Sequence, residues 1–231
     1  NSFFVPIKYG IRPLADRFMI TIHAFIFSPF AENTFLLFDE TRECIIIDAG
    51  CYDQFEKQEL LNFISGKKLK LVKLLNTHCH VDHIFGNKFV AETFGLKLEA
   101  HKEELFNLKH SEQVSKMYGI SGFEASPDVS VFLNEGDVIE FGKSKLEILF
   151  VPGHAPGHLA FVSKEQKFVI NGDVLFYGSI GRSDFPGCSH EALIKSIKTK
   201  LFSLGDDFRV FSGHGQETNI GFERKNNPFL Q

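Results

Sequence analysis

The sequence has no tryptophan, only two methionines and only four cysteines. No two cysteines form a C-x-x-C pair, and a chain of this size does not need disulfides to stabilise a small core. We therefore expect free thiols and a cytoplasmic location. The four cysteines are Cys44, Cys51, Cys79 and Cys188.

A long apolar run and an excess of positive charge are missing as well. No stretch reaches the ~18 consecutive apolar residues that suggest a membrane span. Lysine and arginine number 25 against 29 aspartates and glutamates, so the net charge is −4, and we expect neither nucleic acid nor a membrane as a partner. The segment from Asn1 to Arg17 is not expected to be a signal peptide, because Pro6 and Lys8 interrupt its apolar start.

The chain does contain enough apolar residues for a large core. Its 231 residues are 43% hydrophobic and include 27 phenylalanines, and no linker or repeat divides them, so we predict one domain over residues 1–231. Runs typical of buried strands, such as Cys44–Asp48 and Leu69–Leu75, alternate with amphipathic patterns typical of helices, such as Asp53–Ser65 and His190–Leu201. Both halves of the chain show this mixture, which predicts an α/β sandwich of sheets with outer helices.

Histidine is the most informative residue type, with ten in the chain. The segment His78–His83 directly follows the predicted strand Leu69–Leu75 and has the pattern H-x-H-x-D-H. Imidazoles and carboxylates are ligands of zinc, iron and manganese. One tetrahedral ion cannot satisfy all four side chains together with further ligands, so the cluster suggests two adjacent ions. Cys79 alternates away from His78 and His80, and we expect it to pack rather than bind metal.

Three further predicted strands are each followed by glycine and then one residue of a ligand type. Glycine allows the backbone to turn sharply at a crowded site. If these strand ends converge with the first motif, they form a metal site at one edge of the sheets. They are Leu146–Val151 with His154, Phe168–Asn171 with Asp173, and Arg209–Phe211 with His214.

These residues resemble the metallo-β-lactamase superfamily, in which H-x-H-x-D-H, a later histidine, an aspartate and a last histidine form a binuclear site. Within it the chain looks most like glyoxalase II-type hydrolases, specifically the short bacterial members. The resemblance implies an αββα four-layer sandwich of two mixed β-sheets with outer helices and the site at one edge. The matching segments are Pro152–His158, Asn171–Phe176, Gly181–Phe185, Ser212–Gly215 and Ile220–Phe229.

The same resemblance implies a ligand set and a cofactor of two divalent metal ions. Zinc is the first expectation, with iron or manganese as alternatives. The implied ligands are His78, His80 and His154 for one ion, Asp82, His83 and His214 for the other, and Asp173 as a bridge between them.

Such a site predicts hydrolysis of an acyl compound. Two divalent ions about 3.5–4 Å apart lower the pKa of a bridging water, which makes hydroxide available near neutral pH to attack a carbonyl carbon, and a metal stabilises the developing oxyanion. A thiolate, with a pKa of roughly 8.5, leaves without protonation, so a small-molecule thioester is the predicted substrate. Asp82 and Asp173 are the predicted catalytic residues, and Asp82 is also a candidate proton acceptor.

Residues that recognise the substrate are predicted more loosely. Arg182 is a candidate for binding an anion near the cleft, with a surface salt bridge as the alternative. His158 is a candidate contact of a metal ligand or of the substrate, with a hydrogen-bonded core histidine as the alternative. The chain ends at Gln231, soon after His214, so we expect the C-terminal glutathione-binding domain of full-length glyoxalase II enzymes to be absent, which leaves the acyl group and the thiol carrier open.

A different reaction on the same fold is the main alternative. Persulfide dioxygenases resemble this chain around Gly181–Phe185 and use one iron, held by the equivalents of His78, His154 and Asp173. The setting of the last histidine, Gly213-His214-Gly215, favours the hydrolase.

Overall fold

The structure is a computed structural model that describes residues 19–231. The prediction about the segment from Asn1 to Arg17 lies outside these residues, and the prediction of one domain over residues 1–231 stays a prediction. The strands are β1 (Thr21–Phe27), β2 (Glu32–Phe38), β3 (Glu43–Ile47), β4 (Lys70–Leu75), β5 (Leu98–Ala100), β6 (Val129–Phe132), β7 (Val138–Phe141), β8 (Ser144–Phe150), β9 (Leu159–Ser163), β10 (Phe168–Gly172), β11 (Leu175–Phe176), β12 (Ser179–Ile180), β13 (Arg209–Ser212) and β14 (Thr218–Asn219). The α-helices are α1 (Gln54–Gly66), α2 (Asn87–Phe94), α3 (Leu105–Met117), α4 (His190–Ser196) and α5 (Ile220–Asn226).

Two six-stranded sheets form the centre of the fold. The first has the order β1-β2-β3-β4-β5-β6, and the second has the order β14-β13-β10-β9-β8-β7. In the first sheet β1, β2 and β3 are antiparallel, whereas β3, β4, β5 and β6 are parallel. In the second sheet only β10 and β13 pair in parallel. Both sheets are therefore mixed, as predicted.

Successive side chains of a central strand point to opposite sides, one toward the other sheet and the next toward the outer helices. Along β2, Phe35 and Leu37 pack with Phe161 of the second sheet, whereas Leu36 faces the other way, as the two-residue period of a strand requires. The outer face of the first sheet is covered by α1 and α2, and that of the second sheet by α4 and α5. The predicted αββα sandwich is thus confirmed.

Several helices depart from the sequence pattern at their ends. A 3-10 turn at Lys102–Glu104 leads directly into α3, which runs to Met117 although few apolar residues mark its later turns. The helix predicted over His190–Leu201 changes into a π-helix at Ile197–Leu201. None of the helices between residues 19 and 231 combines the length and apolar character needed to cross a membrane.

Strand direction brings the candidate ligands to one edge. β3 and β4 are parallel neighbours, as are β10 and β13, and β8 runs in the direction of β10 because both are antiparallel to β9. Two backbone hydrogen bonds join the sheets at this edge. The N–H of Leu159 donates to the carbonyl of Thr77 at 2.8 Å, and the N–H of Asn33 donates to the carbonyl of Gly213 at 2.7 Å.

The layered core predicts that two phenylalanines contribute very differently to the free energy of unfolding. Phe161 is 0% exposed between the sheets, whereas Phe55 on α1 is 88% exposed. We expect Phe161→Ala to lower the free energy of unfolding by about 3–5 kcal/mol and Phe55→Ala to change it by less than about 0.5 kcal/mol. Urea denaturation measures both, and equal losses would contradict this description of the core.

Candidate metal centre

The loop after β4 is held in place by a buried aspartate that sequence analysis missed. Asp48 follows β3, and its Oδ1 accepts hydrogen bonds from the N–H of Thr77 at 2.7 Å and from Nδ2 of Asn76 at 3.1 Å. Its Oδ2 accepts from the Thr77 hydroxyl at 2.6 Å. These bonds fix the extended chain that leads into the H-x-H-x-D-H motif. The signal was present in the sequence, since Asp48 also lies at a strand end shortly before a glycine.

The first group of candidate ligands consists of His78, His80 and His154. One ring nitrogen of each lies within 4.8 Å of the others, and the Nε2 atoms of His78 and His154 are 3.2 Å apart. His154 Nδ1 donates to the carbonyl of Arg182 at 2.8 Å. Because that carbonyl only accepts, the neutral His154 ring has a bare Nε2 lone pair directed at the group.

The second group consists of Asp82, His83 and His214, whose ligand atoms also lie within 4.8 Å of one another. Asp82 Oδ2 is 3.2 Å from His214 Nε2. His83 Nδ1 donates to Asp48 Oδ2 at 3.1 Å, and His214 Nδ1 donates to the carbonyl of Phe30 at 3.1 Å. In this group too, hydrogen bonds at Nδ1 direct Nε2 to the centre.

Asp173 lies between the two groups. Its Oδ1 is 3.5 Å from His83 Nε2, and its Oδ2 is 3.5 Å from Nε2 of both His154 and His214. One carboxylate thus contacts ligands of both groups. This is the position that the resemblance assigned to a bridging ligand.

Unpaired polar atoms test whether metal fits this site. His83 Nε2 and Asp173 Oδ1 are buried and have no hydrogen-bond partner, a costly state for polar atoms in a protein interior. Both atoms are of ligand types that divalent ions prefer. The residues present therefore fit a pair of divalent metal ions held by the two groups.

The charges around the centre also favour cations. Burial lowers the pKa of His78 well below its ordinary value and that of His80 to about 3, so both rings stay neutral, as ligation requires. Burial also disfavours protonated His83, but the charges of Asp173 and Asp82 hold its pKa well above the ordinary value. Asp173 stays ionised despite burial, because neighbouring imidazoles, His83 above all, lower its pKa. The carboxylates thus create a site that attracts positive charge.

His158 is a buried histidine behind the ligand groups. Its ring is fully buried and stacks on His78 with the centroids 4.6 Å apart. Its Nδ1 donates to the carbonyl of Leu159 at 3.0 Å, and its Nε2 accepts from the N–H of Asp173 at 3.2 Å. The hydrogen-bonded core histidine weighed as the alternative is therefore present, and its ring contacts His78 and Asp173. A role of His158 in substrate binding stays a prediction.

Arg182 lies at the rim of the site and is paired. Its guanidinium donates to both carboxylate oxygens of Asp184 at 2.8 Å and lies 3.8 Å from the ring centroid of Phe185. Phe185 in turn lies 5.6 Å from the ring of His80. The surface salt bridge weighed against anion binding is therefore present, and a role of Arg182 in substrate binding stays a prediction.

Comparison with known proteins agrees with this geometry. A family model described as the metallo-beta-lactamase superfamily matches residues 28–214, a range that contains every candidate ligand. The chain belongs to this superfamily of metallo-hydrolases.

Two curated relatives cover most of the chain. This chain is 37% identical over 202 residues to hydroxyacylglutathione hydrolase GloC of Haemophilus influenzae. The aligned residues cover 87% of this chain and 93% of that protein. It is 36% identical over 203 residues to the protein named probable metallo-hydrolase YqgX of Bacillus subtilis, with the same two coverages of 87% and 93%.

Solved structures show the same fold. A di-iron-bound form of TTHA1623 is 34% identical, with a TM-score of 0.81 over 90% of this chain and 100% of that one. The BLEG-1 B3 metallo-beta-lactamase is 29% identical, with a TM-score of 0.83 over 91% of this chain and 100% of that one. ETHE1 from Myxococcus xanthus is 23% identical and shares the fold, with a TM-score of 0.73 over 90% of this chain and 83% of that one.

The crowding at Gly213 predicts a metal-binding defect. A Cβ atom there would lie 2.2 Å from Asp173 Oδ1 and 2.7 Å from His83 Cε1, whereas nothing lies within 4 Å of a Cβ at Gly66. We expect Gly213→Ala to weaken metal binding by about 10- to 100-fold and Gly66→Ala to leave it unchanged. Metal content after dialysis against a chelator measures both, and unchanged binding in Gly213→Ala would contradict the proposed position of Asp173.

Proposed function

We propose that the protein is a thioester hydrolase with two divalent metal ions, zinc first and iron or manganese as alternatives. The observation that carries the proposal is the position of Asp173 between two groups of three ligand-type side chains each. A mononuclear site needs only one such group. The 37% identity to a hydroxyacylglutathione hydrolase supports a thioester as the substrate class.

The roles of the protein's own groups follow from their positions. Two bound divalent ions would supply a nucleophile near neutral pH and stabilise negative charge on the carbonyl oxygen. Asp173 holds the two ligand groups in register, with Oδ2 placed equally far from His154 and His214. Asp82 is the proposed proton acceptor, because its side chain is partly exposed at the centre while that of His83 is fully buried.

A pocket beside the second ligand group supports binding of a small acyl compound. Its volume is about 400 Å³, and none of its lining residues is charged at neutral pH apart from His214, if that ring is protonated. Tyr177 forms one wall and is fixed by stacking on Phe222, with the centroids 4.9 Å apart. We propose that an uncharged part of the thioester lies here. The lining residues are Phe176, Tyr177, His214, Gly215 and Gln216.

Cellular location and partners belong to the same proposal. All four cysteines are free thiols, which supports a reducing cytoplasm. The proposed partner is a small-molecule thioester, with neither nucleic acid nor a membrane involved, in keeping with the net charge of −4.

Metal content and substrate range test the proposal together. We expect the purified protein to hold about two divalent ions per chain, to hydrolyse members of a thioester panel that includes S-lactoylglutathione, to lose activity with a chelator and to regain it with Zn²⁺. The measurements are elemental analysis and thiol release. If the metal-replete protein cleaves no thioester, the proposal fails, and one iron per chain with oxygen uptake on glutathione persulfide would assign the dioxygenase reaction instead.

Replacing the shared carboxylate tests its role directly. We expect Asp173→Ala to lose metal and at least about a hundredfold in activity, since a preorganised charge at the reacting centre is removed. Asp207→Ala, at an exposed surface carboxylate, serves as the control and should match the unsubstituted protein. An Asp173→Ala protein that keeps both ions and its activity would exclude the bridging role.

A further inference from the structure

A second buried carboxylate lies behind the metal centre and takes no part in the proposed chemistry. Glu104 ends the 3-10 turn at Lys102–Glu104 and directly precedes α3. Its side chain is 0% exposed. A buried carboxylate is costly unless hydrogen bonds compensate it, so its partners indicate what it does.

The hydrogen bonds of Glu104 reach two separate loops. Its Oε2 accepts from the N–H of Cys79 at 2.7 Å, and its Oε1 accepts from the N–H of Gly157 at 2.7 Å. Cys79 lies between the ligands His78 and His80, and Gly157 lies in the loop that carries His154. One carboxylate therefore connects both loops that supply the first ligand group.

The loop around Gly157 is shaped to admit this carboxylate. A Cβ atom at Gly157 would lie 2.9 Å from Glu104 Oε1 and 2.9 Å from the Glu104 backbone nitrogen. Real Cβ atoms essentially never approach so closely. Asn107 Nδ2 donates to Oε2 at 2.8 Å from the first turn of α3, which holds the carboxylate in this orientation.

The second ligand group is held by different partners. His83 is oriented by Asp48, and His214 is oriented by the carbonyl of Phe30. Neither of these hydrogen bonds involves Glu104. Disturbing Glu104 should therefore affect one group much more than the other.

We propose that Glu104 is a positioning residue that sets the distance between the His78–His80 loop and the His154 loop, and so determines the affinity of the first metal site. The proposal depends on the metal centre and not on the identity of the substrate. Glu104→Gln tests it, because the amide replaces one acceptor oxygen with an NH₂ donor that would face a peptide N–H. Either the Cys79 or the Gly157 N–H then loses its acceptor.

The experiment is a Co²⁺ titration followed by absorption spectroscopy, with Glu103→Gln as the control at the adjacent exposed glutamate. His80→Ala and His214→Ala provide reference spectra for loss of the first and of the second ion. We expect Glu104→Gln to bind the first ion about 10- to 100-fold more weakly, to keep the second at unsubstituted affinity, and to resemble His80→Ala. Equal weakening of both ions, a spectrum like that of His214→Ala, or unchanged binding would each overturn the proposal.

A milder variant covers the case in which Glu104→Gln does not fold. Asn107→Ala removes one donor from Oε2 and leaves both peptide hydrogen bonds, so we expect the first ion alone to bind about fivefold more weakly. If Asn107→Ala binds both ions as the unsubstituted protein does, or weakens both equally, the proposal is wrong. Because no thioester is used, a failed substrate panel would leave this result unaffected.

Discussion

The metal centre depends most on the hydrogen bonds that the carboxylate of Asp48 accepts. It fixes the chain at Asn76 and Thr77 and orients His83 directly. The Thr77 hydroxyl, which donates to Asp48, lies 3.0 Å from His78 Nδ1 and so extends the same influence to the first ligand group. A single buried anion thus prearranges imidazoles of both groups before any cation arrives, and such partners of metal ligands typically change metal affinity by about 10- to 100-fold.

Elements and site residues could be predicted from the sequence where it shows a clear period or an unusual composition. The apolar runs Cys44–Asp48 and Leu69–Leu75 predict the buried strands β3 and β4. The dense H-x-H-x-D-H motif with its three later partners predicts residues that the structure brings to one edge. Strands of two or three residues, such as β5 and β11, are too short to show a period. Asp48 lies at a recognisable strand end, but its role and that of Glu104 depend on partners 25 to 53 residues away in sequence, so the folded chain is needed to show what each carboxylate binds.

The ligand geometry and the pocket beside it are formed by different parts of the molecule. The two sheets and their strand ends determine the ligand geometry. The fold is what the chain shares with structures as different as a B3 metallo-beta-lactamase and a di-iron-bound protein. The pocket walls come instead from short loops, including the hairpin with Tyr177 and the segment after His214. A superfamily can therefore keep one centre while loop residues change which molecule is bound.

The two hydrogen bonds between the sheets, from Leu159 to Thr77 and from Asn33 to Gly213, have a consequence for stability. They lie next to ligands that come from both sheets, so separating the sheets at this edge would also pull the ligand groups apart. Ions bound there would act as a cross-link between the two halves of the sandwich, and their binding free energy would add to that of folding.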